Sequence, residues 1–393
     1  MVKFKIIVLS IIVHLFFIAL PSFAREPGVT DRKIVIGTTT SLKGPLAFRG
    51  EEISRIGAQA YFNYINEQGG VHGRKIENII YDDEFKIAKA VQNVRKLVLT
   101  DQVFCLFSTL STNINLALVK SQIIQKNRIP LFSPITLFPE IVRPLNRYIF
   151  SLYPDIYTQA QKMVNYAVKI KKKKVCVLYH DNRYGYKGLD GVKVALEKKG
   201  LPLLSEASIK MGETDFQSQI ARFKSADPDT VVLFTYDLQS ALFIKQAKTL
   251  GWTPQFIGAS PLATKRFIEA AEGAAEGAVV LNIIPNAETS MKPGVVEYRN
   301  SLKKYFPGRE PSNASLLGYT SAKVLAEGLS RAGRDLTREG FIKALETGKK
   351  YETNIIYPVI FTPEMHLGTK CPFFNKVIRG EFIDFKGDCT EDG

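Results

Sequence analysis

From Lys33 to its end the chain repeats one unit, a short apolar run followed by a helical stripe, and this constrains the fold more than any other feature. Strands separated by helical crossovers run parallel, with right-handed connections and helices on both faces of the sheet. Residues 33–39 form an apolar strand ending in hydroxyls, and Ser41-Leu42-Lys43-Gly44-Pro45 makes a turn. A helix over about 50–68 turns Ile53, Ile56, Ala60 and Tyr64 inward, close to the 3.6-residue period. Gly69-Gly70 stops it, because glycine accepts the left-handed conformation of a helix exit. Strand 76–81 leads to Asp82 and Asp83, then to a helix with Ile87, Val91, Val94 and Val98 on one stripe. Strands 103–107 and 129–132 flank a helix over about 113–125. After Arg147 a second series offers strands 175–179, 230–234, 255–258 and 278–283. So many strands exceed one compact sheet, and two lobes are expected. From about 291 to 348 the pattern is mainly helical, and β-like stretches at 355–361 and 373–385 close the chain.

Ahead of the first unit, Lys3 and Lys5 precede an apolar run over 6–20, and Ser22-Phe23-Ala24 offers small residues for cleavage after Ala24. The run is about 15 residues, short of the roughly 20 that cross a bilayer as a helix. These features predict an exported, periplasmic protein with a signal peptide at 1–24; a retained anchor is the weaker alternative. Its removal from 393 residues leaves 369, enough for two domains with their own cores. The net charge of +15 becomes +13 without Lys3 and Lys5 and is spread along the chain. The one block, Lys171 to Lys174, reads as a solvated helix end. No basic and aromatic interleaving suggests nucleic acid.

Two kinds of cysteine are present. Cys105 and Cys176 sit in apolar runs and read as small buried hydrophobes. Cys371 and Cys389 flank a polar C-terminal segment, where an oxidising compartment can join them. That bond would close a loop of about 19 residues and contribute roughly 3 kcal/mol. For catalysis there is little: His72, His180 and His366 are scattered, and no metal-spaced cluster, nucleophile elbow or phosphate-cradling loop occurs. Asp82, Asp83 and Glu84 read as a strand end that caps the next helix, with acid–base or cation-holding roles the less favoured reading. The sequence predicts neither enzyme activity nor a metal or cofactor.

Ligands of open α/β sheets bind beyond the carboxyl ends of the strands. Here those ends are 38–40, 108–113, 133–137, 180–184, 235–236 and 259–260, rich in hydroxyls and aromatics. Taken singly each reads as helix capping; as a set they can line a cleft.

The segment Gly44-Pro45-Leu46-Ala47-Phe48-Arg49-Gly50, followed by the run from Ala60 to Ile76 with Asn66-Glu67-Gln68-Gly69-Gly70-Val71-His72-Gly73-Arg74 at its centre, is characteristic. With Tyr81-Asp82-Asp83-Glu84, Leu110-Ser111-Thr112, Ser133-Pro134, Tyr184-Gly185, Pro254 to Gly258 and Thr362 to His366, it resembles the leucine/isoleucine/valine-binding protein family of ABC importers. The likeness spans nearly the whole mature chain. It implies a type I periplasmic binding protein: two Rossmann-like, doubly wound lobes joined by three crossovers, with ligand between them. The crossings are placed near 153, 284 and 355, giving lobe 1 as 25–153 and 284–355, and lobe 2 as 154–283 and 356–393. The implied function is capture of a small amino acid or related carboxylate for a membrane ABC permease. A ligand-sensing role with a separate partner is an alternative.

The resemblance also implies site residues. Thr112 falls where a hydroxyl binds the ligand carboxylate, Ile135 and Thr136 where the next loop contacts the amino-acid head, and Tyr184 and Tyr236 where the second lobe presents two aromatics. Two positions depart from the family. Ser260 stands where branched-chain amino-acid binders carry the acid that meets the ammonium, and Arg49 stands where an aromatic is usual. Arginine can grip a carboxylate with two hydrogen bonds; a solvent-facing arginine at a helix start is the equal alternative. Leu137 and Phe138 occupy a loop where small residues are common, which predicts a reshaped or narrowed pocket. These departures make an organic or aromatic acid or amide, lacking an ammonium, a competitor for the ligand.

Overall fold

The computed structural model describes residues 26–387 and Cys389. The signal-like segment and its cleavage site lie outside those residues. Two sheets are present. The first has the order β2-β1-β3-β4-β5, with β1 Lys33–Thr40, β2 Lys75–Asp82, β3 Leu106–Phe107, β4 Leu131–Phe132 and β5 Ile149–Phe150, all parallel. The second has the order β12-β11-β10-β9-β8-β6-β7. Here β6 is Val175–His180, β7 Leu203–Ile209, β8 Thr230–Phe234, β9 Gln255–Gly258 and β10 Val279–Asn282, again parallel. The hairpin β11 Phe373–Ile378 and β12 Glu381–Phe385 adds an antiparallel edge.

Side-chain alternation builds both cores. In the first sheet Leu106, Leu131 and Ile149 enter one cluster, while Phe107, Phe132 and Phe150 enter the cluster on the opposite face. In the second, Cys176, Leu178, Val231 and Leu233 face one way and Val175, Val177, Val232 and Phe234 the other. Strands buried on both faces are continuously apolar, which is why their sequences were readable. The thiols of Cys105 and Cys176 are buried, and burial pushes them up to about 12 and about 11.

Some elements differ from expectation. The two-residue β5 was not anticipated, nor was β7, whose Leu-Leu-Ser-Glu-Ala-Ser-Ile mixes polar residues into an edge strand. Residues 103–105 lie outside β3; the Arg338 guanidinium takes the carbonyls of Val103 (2.7 Å) and Phe104 (2.9 Å). The helix expected over 113–125 breaks at Gln122, which is left-handed, into Thr112–Lys120 and Ile123–Lys126. The first long helix runs through Ala47–Gly50, a π-turn Glu51–Gly57, and Ala58–Glu67. The wider π-turn lies against Asn313–Arg331: a Cβ on Gly57 would fall 1.8 Å from the Ser315 carbonyl oxygen, and one on Gly318 1.9 Å from that of Ile53. Backbones that close exclude any side chain at the crossing.

The chain passes between sheets three times. It leaves β5 for the helix Ile156–Lys169, packed in the second lobe, and returns after β10 to Pro293–Tyr305 and Asn313–Arg331, packed in the first. The third passage falls later than the expected 355. Residues 356–368 pack with the first sheet, not the second. Phe361 meets Phe150 at 5.3 Å and Phe132 at 6.4 Å between ring centroids. Ser151 N–H donates to the His366 carbonyl (2.9 Å), and Gly368 N–H to that of Ser151 (2.8 Å). The apolar 355–361 stretch reads as a strand but forms only isolated bridges, Tyr351↔Val359 before Thr362↔Met365, because its aromatics fill the first core.

Candidate ligand cleft

The β1 loop that leads to Arg49, on the helical turn Ala47–Gly50, is fixed from beneath by two carboxylates. Thr39 and Ser41 hydroxyls donate to Asp83 at 3.1 and 2.8 Å, Phe85 N–H donates to it at 2.9 Å, and Leu42 N–H donates to Asp82 at 2.9 Å. Burial pushes the Asp83 carboxyl above its ordinary range despite those donors. Thus Asp82 and Asp83 clamp the β1 loop; they were expected to cap the helix Ile87–Leu99, whose start has no side-chain cap. Gly50 is pressed onto the loop, its missing Cβ only 2.0 Å from the Ser41 carbonyl oxygen. Arg49 is open to water, yet enough protein surrounds it to lower its guanidinium below its ordinary value. Among the described residues it has no hydrogen bond or ion pair, and burial is the sole cause of its shift.

Beside β1 in the sheet, the ends of β3 and β4 are bent into rare conformations. Ser108, Ser111 and Ser133 have φ of 47°, 92° and 55°, left-handed values that non-glycine residues adopt only when held there. Ile135 N–H donates to the Thr109 carbonyl (2.9 Å), tying the two loops together. That tie sets Thr112 Oγ1 2.9 Å from Thr136 Oγ1. Thr112 opens the helix Thr112–Lys120, and the Ser111 side chain makes no cap hydrogen bond, so amides at this helix start face outward uncapped. Ile135 itself is buried.

On the second lobe, Asn182 caps the helix Arg183–Glu197 and presents Tyr184 at its first turn. The Tyr184 ring stacks on Tyr236 (5.3 Å, 20°), which lies on His180 (4.7 Å, 36°). Tyr184 is 7% exposed, and its hydroxyl has no partner. His180, at the end of β6, belongs to the strand-end set 180–184 but was not singled out as a site residue. Its Nδ1 lies 3.3 Å from the Ile209 carbonyl, its Nε2 has no partner, and burial lowers its pKa, so the ring is neutral. Ser260, half-buried, donates its N–H to Gln159 Oε1 (3.0 Å). Arg49 and Ser260 share no hydrogen bond with the threonine pair and no ring contact with the tyrosines.

Phe138 does not narrow the cleft from the first lobe but packs in the second-lobe cluster that holds Tyr184, with the Arg183 guanidinium 5.0 Å from its ring. Glu140 reaches Lys187 (3.0 Å) and Arg183 (3.4 Å). The loop after β4 is therefore a strap between the lobes. The hairpin register pairs Phe374 with Phe385, and Cys371 and Cys389 lie just outside its two strands. Both side chains are buried, and the Cys389 Sγ lies 3.8 Å from the carbonyl oxygen of Pro372, next to Cys371 in the chain.

Two doubly wound parallel sheets, three passages between them, and polar strand ends on each define a two-lobed binding protein of type I architecture. The sequence profile described as periplasmic binding protein matches residues 33–381, and the chain belongs to that family. It is 26% identical over 325 residues, 82% of this chain and 85% of the relative, to Leu/Ile/Val-binding protein homolog 3 of Brucella melitensis. It is 27% identical to the leucine-, isoleucine-, valine-, threonine- and alanine-binding protein of Pseudomonas aeruginosa, covering 80% of this chain and 82% of that one. Among solved structures, a branched-chain amino acid ABC transporter protein of Thermus thermophilus with bound valine superposes with a TM-score of 0.76 at 22% identity, covering 91% and 97%. A fatty acid ABC transporter substrate-binding protein of Thermomonospora curvata gives 0.73 at 24%, covering 92% and 94%. At these identities the structural matches speak to fold. Among the described residues no helix is long and apolar enough to cross a membrane.

Proposed function

We propose that the chain is an extracytoplasmic receptor of an ABC importer that holds a small amino acid or related carboxylate between its lobes and releases it unchanged. What supports this reading is the presence, in a chain of this family, of two unlike groups at the strand ends of the two lobes. One is the Thr112–Thr136 hydroxyl pair at an uncapped helix start, and the other is the Tyr184–Tyr236 stack. Hydroxyls and amides suit a carboxylate, and stacked phenols cover an apolar body while offering hydrogen bonds. The relatives named for branched-chain amino acids support the same class of cargo. A guest that touches both walls favours the closed arrangement by its differential affinity, and the closed form is what a permease would read.

On this reading the division into two lobes is functional, the leader is removed after Ala24, and the mature chain works in the periplasm. In that oxidising compartment Cys371 and Cys389 pair and pin the terminal hairpin. The test is mass spectrometry of small molecules released by denaturing chain purified from periplasm, with small-angle scattering before and after the guest is restored. A single intact guest and a smaller radius of gyration are expected. Recovery of a chemically altered product would make the chain an enzyme, and unchanged dimensions would remove the clamp.

A further inference from the structure

The strap after β4 changes lobes twice within a few residues. Its first part belongs to the first lobe, where Phe138 N–H donates to Thr136 Oγ1 (3.1 Å), the hydroxyl that meets Thr112. The Phe138 side chain then leaves that lobe. It is buried in the second-lobe cluster with Tyr184, Ile156 and Phe234, and Leu137 packs against the same cluster. Three residues further on, Ile141 and Val142 are buried in a first-lobe cluster with Ile114 and Leu118. A loop of one lobe thus has its aromatic ring seated in the core of the other.

Polar contacts fasten the strap on both sides of that ring. Ile156 N–H, at the start of the helix Ile156–Lys169, donates to the Leu137 carbonyl (2.7 Å). Glu140 Oε1 lies 3.0 Å from Lys187 and 3.4 Å from Arg183, both on the helix that presents Tyr184, and the Arg183 guanidinium also covers the Phe138 ring. Glu140 Oε2 is buried with no hydrogen-bond partner, so the carboxylate depends on those two second-lobe cations. Removing the partners of such a charge is costly. Arg143 pairs with Asp155 (3.2 Å), the cap of the helix Ile156–Lys169. We infer that the strap sets the angle between the lobes in the ligand-free protein, with Phe138 and Glu140 as positioning residues that hold the threonine pair and Tyr184 in a fixed relation. The inference rests on the receptor reading and adds how its two halves are held. A guest then has only the remaining closure to drive. Where the lobes are free to splay, affinity falls by the fraction of molecules in the competent arrangement.

The experiment is small-angle scattering of the mature chain, stripped of any guest by denaturation and refolding. Glu140→Lys sets a third cation against Arg183 and Lys187, and like charges across a contact drive it apart. Its radius of gyration should rise above the wild-type value, itself near the roughly 21 Å of a compact chain of this length. Adding Lys187→Glu restores an opposite pair and should return the radius to the wild-type value; a general loss of structure would not be repaired by exchanging two charges. Phe138→Ala, which empties the seat without changing charge, should also raise the radius. Equal radii for wild type and Glu140→Lys overturn the inference, and so does a double variant no more compact than Glu140→Lys. If Glu140→Lys does not fold, Glu140→Gln decides in its place, and a radius equal to wild type overturns the inference. None of these outcomes touches the receptor reading, which is judged on wild type by the released guest and its effect on the dimensions.

Discussion

Tyr184→Phe separates what the second-lobe stack does for stability from what it does for binding. The ring is 7% exposed and stacks on Tyr236 at 5.3 Å, with its edge toward Phe234 at 6.0 Å, contacts that phenylalanine keeps. The hydroxyl has no partner, and a buried polar group left unsatisfied costs about 1–3 kcal/mol. Its removal should therefore stabilise the ligand-free protein by about 1 kcal/mol, or about 2–4 °C in melting midpoint for a lobe of this size. Binding should move the other way. A net hydrogen bond contributes about 0.5–1.5 kcal/mol, so affinity should fall roughly threefold to tenfold. The assay is urea unfolding of wild type and variant without ligand, alongside calorimetric titration of both. A variant less stable than wild type by more than about 0.5 kcal/mol would refute the reasoning, because the hydroxyl would then already be satisfied in the ligand-free protein.

Gly318→Ala drives a methyl into the Ile53 carbonyl, and overpacking of this kind costs typically about 1–3 kcal/mol; urea unfolding should show a loss in that range or larger, and a neutral result would mean the helices slide apart freely. Burial raises the Asp83 carboxyl above its unfolded value of 3.8. Its contribution is then fully present below pH 3.8 and lost as pH rises through the folded value. The stability of wild type relative to Asp83→Asn should decline from pH 4 upward, and a difference that is flat with pH would contradict the assignment. Thiol labelling of unreduced, denatured periplasmic protein should modify Cys105 and Cys176 but not Cys371 and Cys389; four equally reactive thiols would dissolve the proposed pair.

The strand and helix alternation was legible because buried parallel strands such as Thr230–Phe234 are written as near-continuous apolar runs; that strand and Gln255–Gly258 fall at the limits read from the sequence. Edge and two-residue strands were not, since β7 and β5 owe their place to neighbours and not to their own pattern. Residues 356–368 show the same limit: their apolar content said that they are buried, but not in which lobe.

The sequence by itself determined the family and two doubly wound lobes, and it named the threonines, tyrosines and Arg49 by position. Local periodicity and motif are enough for that, because each is a property of neighbouring residues. Only the tertiary structure decided which polar groups find partners. Asp83 reaches Ser41, Glu140 reaches Lys187, and His180 lies under Tyr236 across long stretches of chain. The same distant contacts leave Arg49, Tyr184 and His180 Nε2 unmet, and a missing partner is visible only when all the surroundings are in place.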